Sequence, residues 1–159
     1  MIRQQLTEYA EGFLALSAIQ SKGVAGKYIM MIERAVLHAG VELRGNPLPP
    51  NYSRGIPKNC FQNSARLANK RRSLYYYEGF VIRQDIGFPI HHGWCVNKAG
   101  QVIDVTLDQP QDCEYIGVQF TFDDIKRWRS PNSTSLFDTM RGININLCEY
   151  LLNQPKKGS

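Results

Sequence analysis

Three segments carry side chains that could do chemistry together: Asn59-Cys60-Phe61, His92-Gly93-Trp94 and Asp104-Val105-Thr106. A thiol, an imidazole and a carboxylate supply a nucleophile, its base and the acid that orients the base. A free thiol with a pKa of about 8.5 is only a few per cent thiolate at neutral pH. A helix N-terminus and a neighbouring imidazolium both favour the thiolate. The expected chemistry is attack of Cys60 on an acyl group, with His92 moving the proton and Asp104 accepting the other ring N–H. The backbone amide of Cys60 is the natural first donor to the oxyanion, and Asn59, Gln62 and Tyr52 are candidates for the second. Trp94, Glu78 and Tyr77 are candidates for a substrate-pocket wall, although Glu78 reads equally well as an exposed strand charge and the tyrosines as strand packing.

Each of the three residues also has a plainer reading. A lone Cys on a helix is usually a small core residue, and a strand His beside an aromatic is usually a hydrogen-bonded structural group. Asp104 interrupts an apolar strand and needs a partner if it is buried. The question is whether the surrounding elements bring the three together.

Cys60 to Lys70 reads as a helix with Phe61, Ala65 and Ala68 on its buried stripe and Asn59 as N-cap, which sets Cys60 in the first turn. Beyond Ser73 the period changes to two. Leu74 to Ile82 and Ile90 to Asn97 read as strands, and a third runs from Gln101 to Leu107. Lys98-Ala99-Gly100 suits a three-residue hairpin loop with Gly100 in the left-handed position. That loop opposes Asn97 to Gln101, Val96 to Val102 and Trp94 to Asp104. His92, Trp94, Val96, Val102, Asp104 and Thr106 then share one face, and His91, Gly93, Cys95, Ile103 and Val105 the other. His92 and Asp104 become diagonal neighbours, roughly 7–8 Å apart at the backbone.

Around this core, Ile2, Leu6, Tyr9, Phe13, Leu16 and Ile19 mark an amphipathic helix. A second helix is expected over Lys27 to His38, with Gly40 just past its end and His38 in the last turn. Residues 41–59, rich in Pro and Gly, read as a loop or extended connector. Tyr115 to Phe120 reads as a fourth strand, and Thr121 caps a helix with acids in its first turn. Residues from Leu136 onward, including Ile143 to Leu152, read as one or two closing helices before a frayed end. The order is α+β, in one domain over 1–159: a helical region 1–45, a core 56–122 and closing helices 121–153.

At 159 residues and with ordinary apolar and charged fractions, the chain is long enough for a single core. The net charge of +5 is modest, and Lys70-Arg71-Arg72 reads as a solvated helix end, so a nucleic-acid role is not expected. No run approaches the ~20 apolar residues of a membrane span, and the N-terminus lacks a secretory pattern. Cys60, Cys95, Cys113 and Cys148 form no Cys-x-x-Cys pair, which fits reduced thiols in a cytoplasm. Delivery to another cell by a dedicated secretion machine, or a phage setting, stays compatible with the sequence. A metal site from His91, His92, Cys95 and Cys113 lacks paired ligand spacing and is not expected, and no cofactor is required.

The segments Asn59-Cys60-Phe-Gln-Asn-Ser-Ala, Tyr77-Glu-Gly79-Phe, His92-Gly-Trp94 and Val102-Ile-Asp104-Val-Thr106 together resemble the transglutaminase-like branch of the papain-like cysteine enzymes. That branch shows a Cys opening a helix, then Gly-aromatic, H-x-W and D-x-T strands. The resemblance covers roughly residues 56 to 122. The Gly usual two residues before the Cys is Lys58 here, and the Pro usual after the Asp is Val105. The resemblance implies a nucleophile helix packed on an antiparallel sheet, with Cys60 as nucleophile, His92 as base and Asp104 as orienting acid. It further implies a protease, amidase, deamidase or acyl transferase acting on a protein, peptide or other amide through a thioester. The alternative is an inactive member of the fold that serves as a peptide- or protein-binding module.

Overall fold

The computed structural model describes residues 1–20 and 30–157. Among them are five α-helices and a five-stranded antiparallel sheet, an α+β arrangement. Helix α1 (Ile2–Gln20) buries Ile2, Leu6 and Ala10. The side chains of Leu16 and Ile19, and residues 27–29 of the second expected helix, lie outside the described residues. Helix α2 (Met31–Ala39) buries Met31, Ala35, Val36 and Ala39, and the Gly40 N–H closes it on the carbonyl of Val36. His38 in its last turn donates from Nε2 to the carbonyl of Gln154, 2.6 Å away.

The stretch read as a connector contains a strand, β1 (Val41–Arg44), which pairs with β5 (Cys113–Phe120). Four alternating residues ahead of a Pro-rich run are too short to stand out, and the strand exists because β5 offers it an edge. Then come α3 (Cys60–Lys70), β2 (Leu74–Arg83), β3 (Ile90–Asn97) and β4 (Val102–Ile103). The sheet order is β1-β5-β2-β3-β4. The β3–β4 turn takes the expected form: Gly100 has φ +80°, Asn97 N–H bonds the Gln101 carbonyl, and Val96 opposes Val102.

The two sheet faces differ. Tyr76, Phe80, Ile82, Cys95, Ile103, Ile116, Val118 and Phe120 pack with α2, α3 and α5 in the main core. Tyr77, Val81, Trp94, Val96, Val102, Cys113 and Tyr115 form a second cluster on the opposite face. The sheet bends around that second cluster: Asn46, just past β1 at one edge, accepts from the Val102 N–H of β4 at the other edge at 3.1 Å.

Helix α4 (Phe122–Trp128) starts with the expected cap, Thr121 and Asp124 satisfying each other's backbone N–H groups. Residues 136–143 are not helical. Leu136 and Phe137 enter the core and lead into a short ribbon, β6 (Asp138–Thr139) with β7 (Gly142–Ile143), before α5 (Ile145–Leu152). Asn144 breaks any continuous helix here, since its side-chain oxygen caps α5 through Leu147 N–H. Among the described residues no helix is long and apolar enough to cross a membrane.

Candidate active site

Cys60 is the first residue of α3 and is 9% exposed. Asn59 stands before it but makes no side-chain cap bond. Lys58 takes the left-handed conformation, φ 66°, which glycine adopts freely and lysine only with strain. Two anchors hold this entry to the helix. The Asn63 amide bonds both the N–H and the carbonyl of Ile56, at 3.2 and 2.8 Å, and also donates to Thr106 Oγ at 2.9 Å. Gly55 N–H donates to the Val105 carbonyl at 2.7 Å. The loop before the nucleophile is thereby fastened to the turn after the acid.

The close approach of α3 to β3 depends on Gly93. A Cβ there would lie 2.9 Å from Phe61 Cδ1 and 3.1 Å from Ser64 Oγ. The first turn of α3 straddles β3 at this point: Phe61 meets the ring of His91 at 4.9 Å, and Cys60 adjoins His92.

His92 is 4% exposed, and its Nε2 lies 2.7 Å from Asp104 Oδ2. The other ring nitrogen remains for Cys60. Burial opposes the imidazolium, but the Asp104 carboxylate outweighs it, with a smaller contribution from the neighbouring Cys60, and the His92 pKa is raised to about 9. Asp104 leaves the ladder two residues after β4 begins, so it sits in a turn rather than on the strand the sequence suggested. The physical reason is local. Its Oδ1 accepts from Thr106 and Leu107 N–H at 2.8 and 3.1 Å, closing an Asx-type turn. Its Oδ2 accepts from His92 and from Tyr115 OH at 3.0 Å. Burial alone would raise the Asp104 pKa, yet His92 and the two amides hold it below the usual carboxylate range. A buried carboxylate with four donors is an ionised one.

The other sequence candidates fall in different places. Trp94 is fully buried and stacks on His92, with centroids 6.3 Å apart and planes at 15°, so it backs the imidazole rather than lining an open pocket. Tyr77 stacks on Trp94 and donates to Gln119. Glu78 is neither a pocket wall nor an exposed charge: it is 0% exposed, on the opposite sheet face from His92. It accepts from Tyr76 OH, Ser135 OH, Leu136 N–H and Phe137 N–H. His91 Nε2 is 3.2 Å from Glu78 but out of line for a hydrogen bond, so that contact is electrostatic. Burial opposes the Glu78 charge, and His91 with these donors holds its pKa below the ordinary value. Gln62 is exposed on the outer flank of α3, and Asn59 is half-buried. Tyr52 lies under the Arg71 guanidinium, 4.2 Å from its ring, tied to the end of α3 away from Cys60.

The site uses residues that pattern reading passed over. Asn63 is a buried polar group three positions after Cys60, and Tyr115 lies on the His92 face of β5. Tyr115 carried a signal, a hydroxyl on an apolar strand that needs a partner if buried. Asn63 did not: the buried face of α3 is Cys60, Asn63, Ser64 and Ala68, rotated from the expected Phe61, Ala65 and Ala68 stripe. Burial pushes the thiols of Cys95 and Cys148 up to about 12 and that of Cys113 up to about 11. His91 and Cys95 lie on one face of the sheet and His92 and Cys113 on the other, and among the described residues no group of three or more His, Cys, Asp or Glu is placed to hold a metal. Comparison of the chain with protein-family models, with curated proteins and with solved structures finds no match.

Proposed function

We propose that the protein is a thiol hydrolase or acyl transferase of transglutaminase-like type, acting on an amide bond of a protein, peptide or similar substrate. The observation that carries this reading is His92 bonded to Asp104 at 2.7 Å and neighbouring Cys60, the residue that opens α3. In the proposed reaction the Cys60 sulfur attacks the amide carbonyl carbon. As the C–N bond breaks, the imidazolium of His92 gives its proton to the leaving nitrogen, and a thioester remains on Cys60. Water or an amine then attacks the thioester, His92 takes the proton from it, and the thiolate leaves. Asp104 keeps the ring oriented and favours its charged form throughout. The Cys60 backbone N–H is the first oxyanion donor. The helix packed on an antiparallel sheet, with the three groups in this chain order, supports a papain-like core.

The low exposure of Cys60 and His92 favours one competing reading, a binding module that keeps the architecture without the chemistry. Alkylation of Cys60 by iodoacetamide, followed by peptide mass spectrometry between about pH 5 and 9, separates the two. Labelling that stays fast below neutral pH and collapses in His92→Ala supports the enzyme. Labelling that rises only near the free-thiol value of about 8.5, equally in both proteins, supports the binding module.

A further inference from the structure

A groove of about 730 Å³ runs along the outer flank of α3, bounded by α4 and residues 130–134. Its floor is apolar, from Ala65, Phe122 and Ile125, and its lining carries Arg66, Lys126 and Arg129 without any acidic residue. Among the described residues none of these three cations belongs to an ion pair. Of the two acids on α4, Asp124 is committed to the Thr121 cap, and neither Asp123 nor Asp124 forms an ion pair among the described residues. Phe122 is 51% exposed beside them, an aromatic surface without cover. Gln62, in the first turn of α3, marks the end of the groove nearest Cys60.

Cations without counter-charges around an apolar floor complement a chain that offers carboxylates on either side of an apolar side chain. From Gln62 to Asn69 the helix rises about 10 Å, the span of roughly three residues of extended polypeptide. A single-stranded nucleic acid would call for successive aromatic platforms, and the groove has one phenyl ring. We propose that the groove docks a short acidic polypeptide segment of the substrate, with an apolar side chain over Phe122, and so delivers the adjoining amide to the N-terminus of α3. This names the substrate class for the site above and therefore rests on Cys60 acting on polypeptides.

The test is fluorescence anisotropy with a labelled pentapeptide, Glu-Asp-Leu-Glu-Gln, and its neutral counterpart, Gln-Asn-Leu-Gln-Gln. It is run on the Cys60→Ala protein, so that no acyl transfer consumes the probe. The acidic peptide is expected to bind about tenfold tighter than the neutral one, and the added Arg66→Glu and Lys126→Glu changes to remove that advantage. Phe122→Ala, which leaves the charges in place, is expected to weaken both peptides severalfold. About 0.5 M NaCl should erase the difference between the peptides. Equal binding of the two peptides, binding unaffected by the charge reversals, or tighter binding of an oligothymidylate of matched charge would each overturn the proposal. Iodoacetamide labelling of the unmodified protein tests the thiol chemistry separately, so failure of the groove and failure of the triad give different results.

Discussion

Replacing Asp104 by Asn tests the electrostatic core of the site. The change keeps the shape and leaves an oxygen for the Thr106 and Leu107 amides, but removes the charge 2.7 Å from His92. The His92 pKa rises from 6.5 in the unfolded reference to about 9 in the folded protein. Between those values the folded protein binds one more proton than the unfolded chain, so stability falls as pH rises, by about 1.4 kcal/mol per unit. The stabilisation is complete below about pH 6.5, is lost as pH passes through about 9, and totals on the order of 3 kcal/mol. In Asp104→Asn the burial that opposes the imidazolium is no longer outweighed by the carboxylate, and His92 should titrate at or below its ordinary value. The neutral ring then accepts from the Asn amide on Nε2 and carries its proton on the nitrogen facing Cys60, the wrong tautomer for a base. Urea unfolding of both proteins should show a loss of about 3 kcal/mol near pH 6.5 that shrinks toward pH 9, with a melting temperature lower by about 6–12 °C at the acid end. Groups that titrate equally in both proteins cancel in the difference. An unchanged pH slope, or an NMR titration of His92 that does not move, would refute the argument.

Gly93→Ala should cost about 1–3 kcal/mol, because its new methyl meets Phe61 and Ser64, and should slow Cys60 alkylation at neutral pH by lifting α3 from β3. Normal labelling would show that the close approach is not what sets the thiol beside His92. Asn63→Ala removes three hydrogen bonds that join the loop before Cys60 to the turn after Asp104, and thermal unfolding should register a loss of about 2–3 kcal/mol. Glu78→Gln leaves an amide among four hydrogen-bond donors and beside His91, and should cost about 2–4 kcal/mol by urea unfolding at neutral pH. Because the Glu78 pKa is lowered, its contribution is present above about 4.5 and is lost as pH falls through the folded value, so the variant's acid limb should be shallower. A limb of equal steepness would mean that Glu78 is not ionised in the fold.

The sheet that carries His92 was readable because period-two segments and a Gly100 turn jointly specify which residues share a face. The start of α3 fell where expected, but not for the expected reason: Asn59 makes no side-chain cap bond, and the Asn63 amide fastens the preceding loop instead. What local pattern could not supply was long-range. β1 exists because β5 pairs with it, and three of the four donors to Glu78 come from residues 135–137, far along the chain from β2. Leu136, Phe137 and Ile143 carry apolar character that suits a helix as well as a ribbon, and the decision lies with the Asn144 cap and the core that receives Leu136 and Phe137. Asp104 left its strand for a related reason: its carboxylate found the Thr106 and Leu107 amides, which compete with the ladder.

The sheet order also bears on when the site comes into being. α3, β2, β3 and β4 are contiguous in the chain and pair with near neighbours, whereas Val41 of β1 must find Gly117 beyond the whole of that segment. Contacts with short loops form at lower entropic cost, so folding is expected to nucleate on the β2–β3 hairpin with α3 laid across it. The thiol and the imidazole are then neighbours early, while Asp104 waits for β5 to bring the hydroxyl of Tyr115. Substitutions in β2 and β3 should therefore slow folding, and those in β1 should chiefly hasten unfolding.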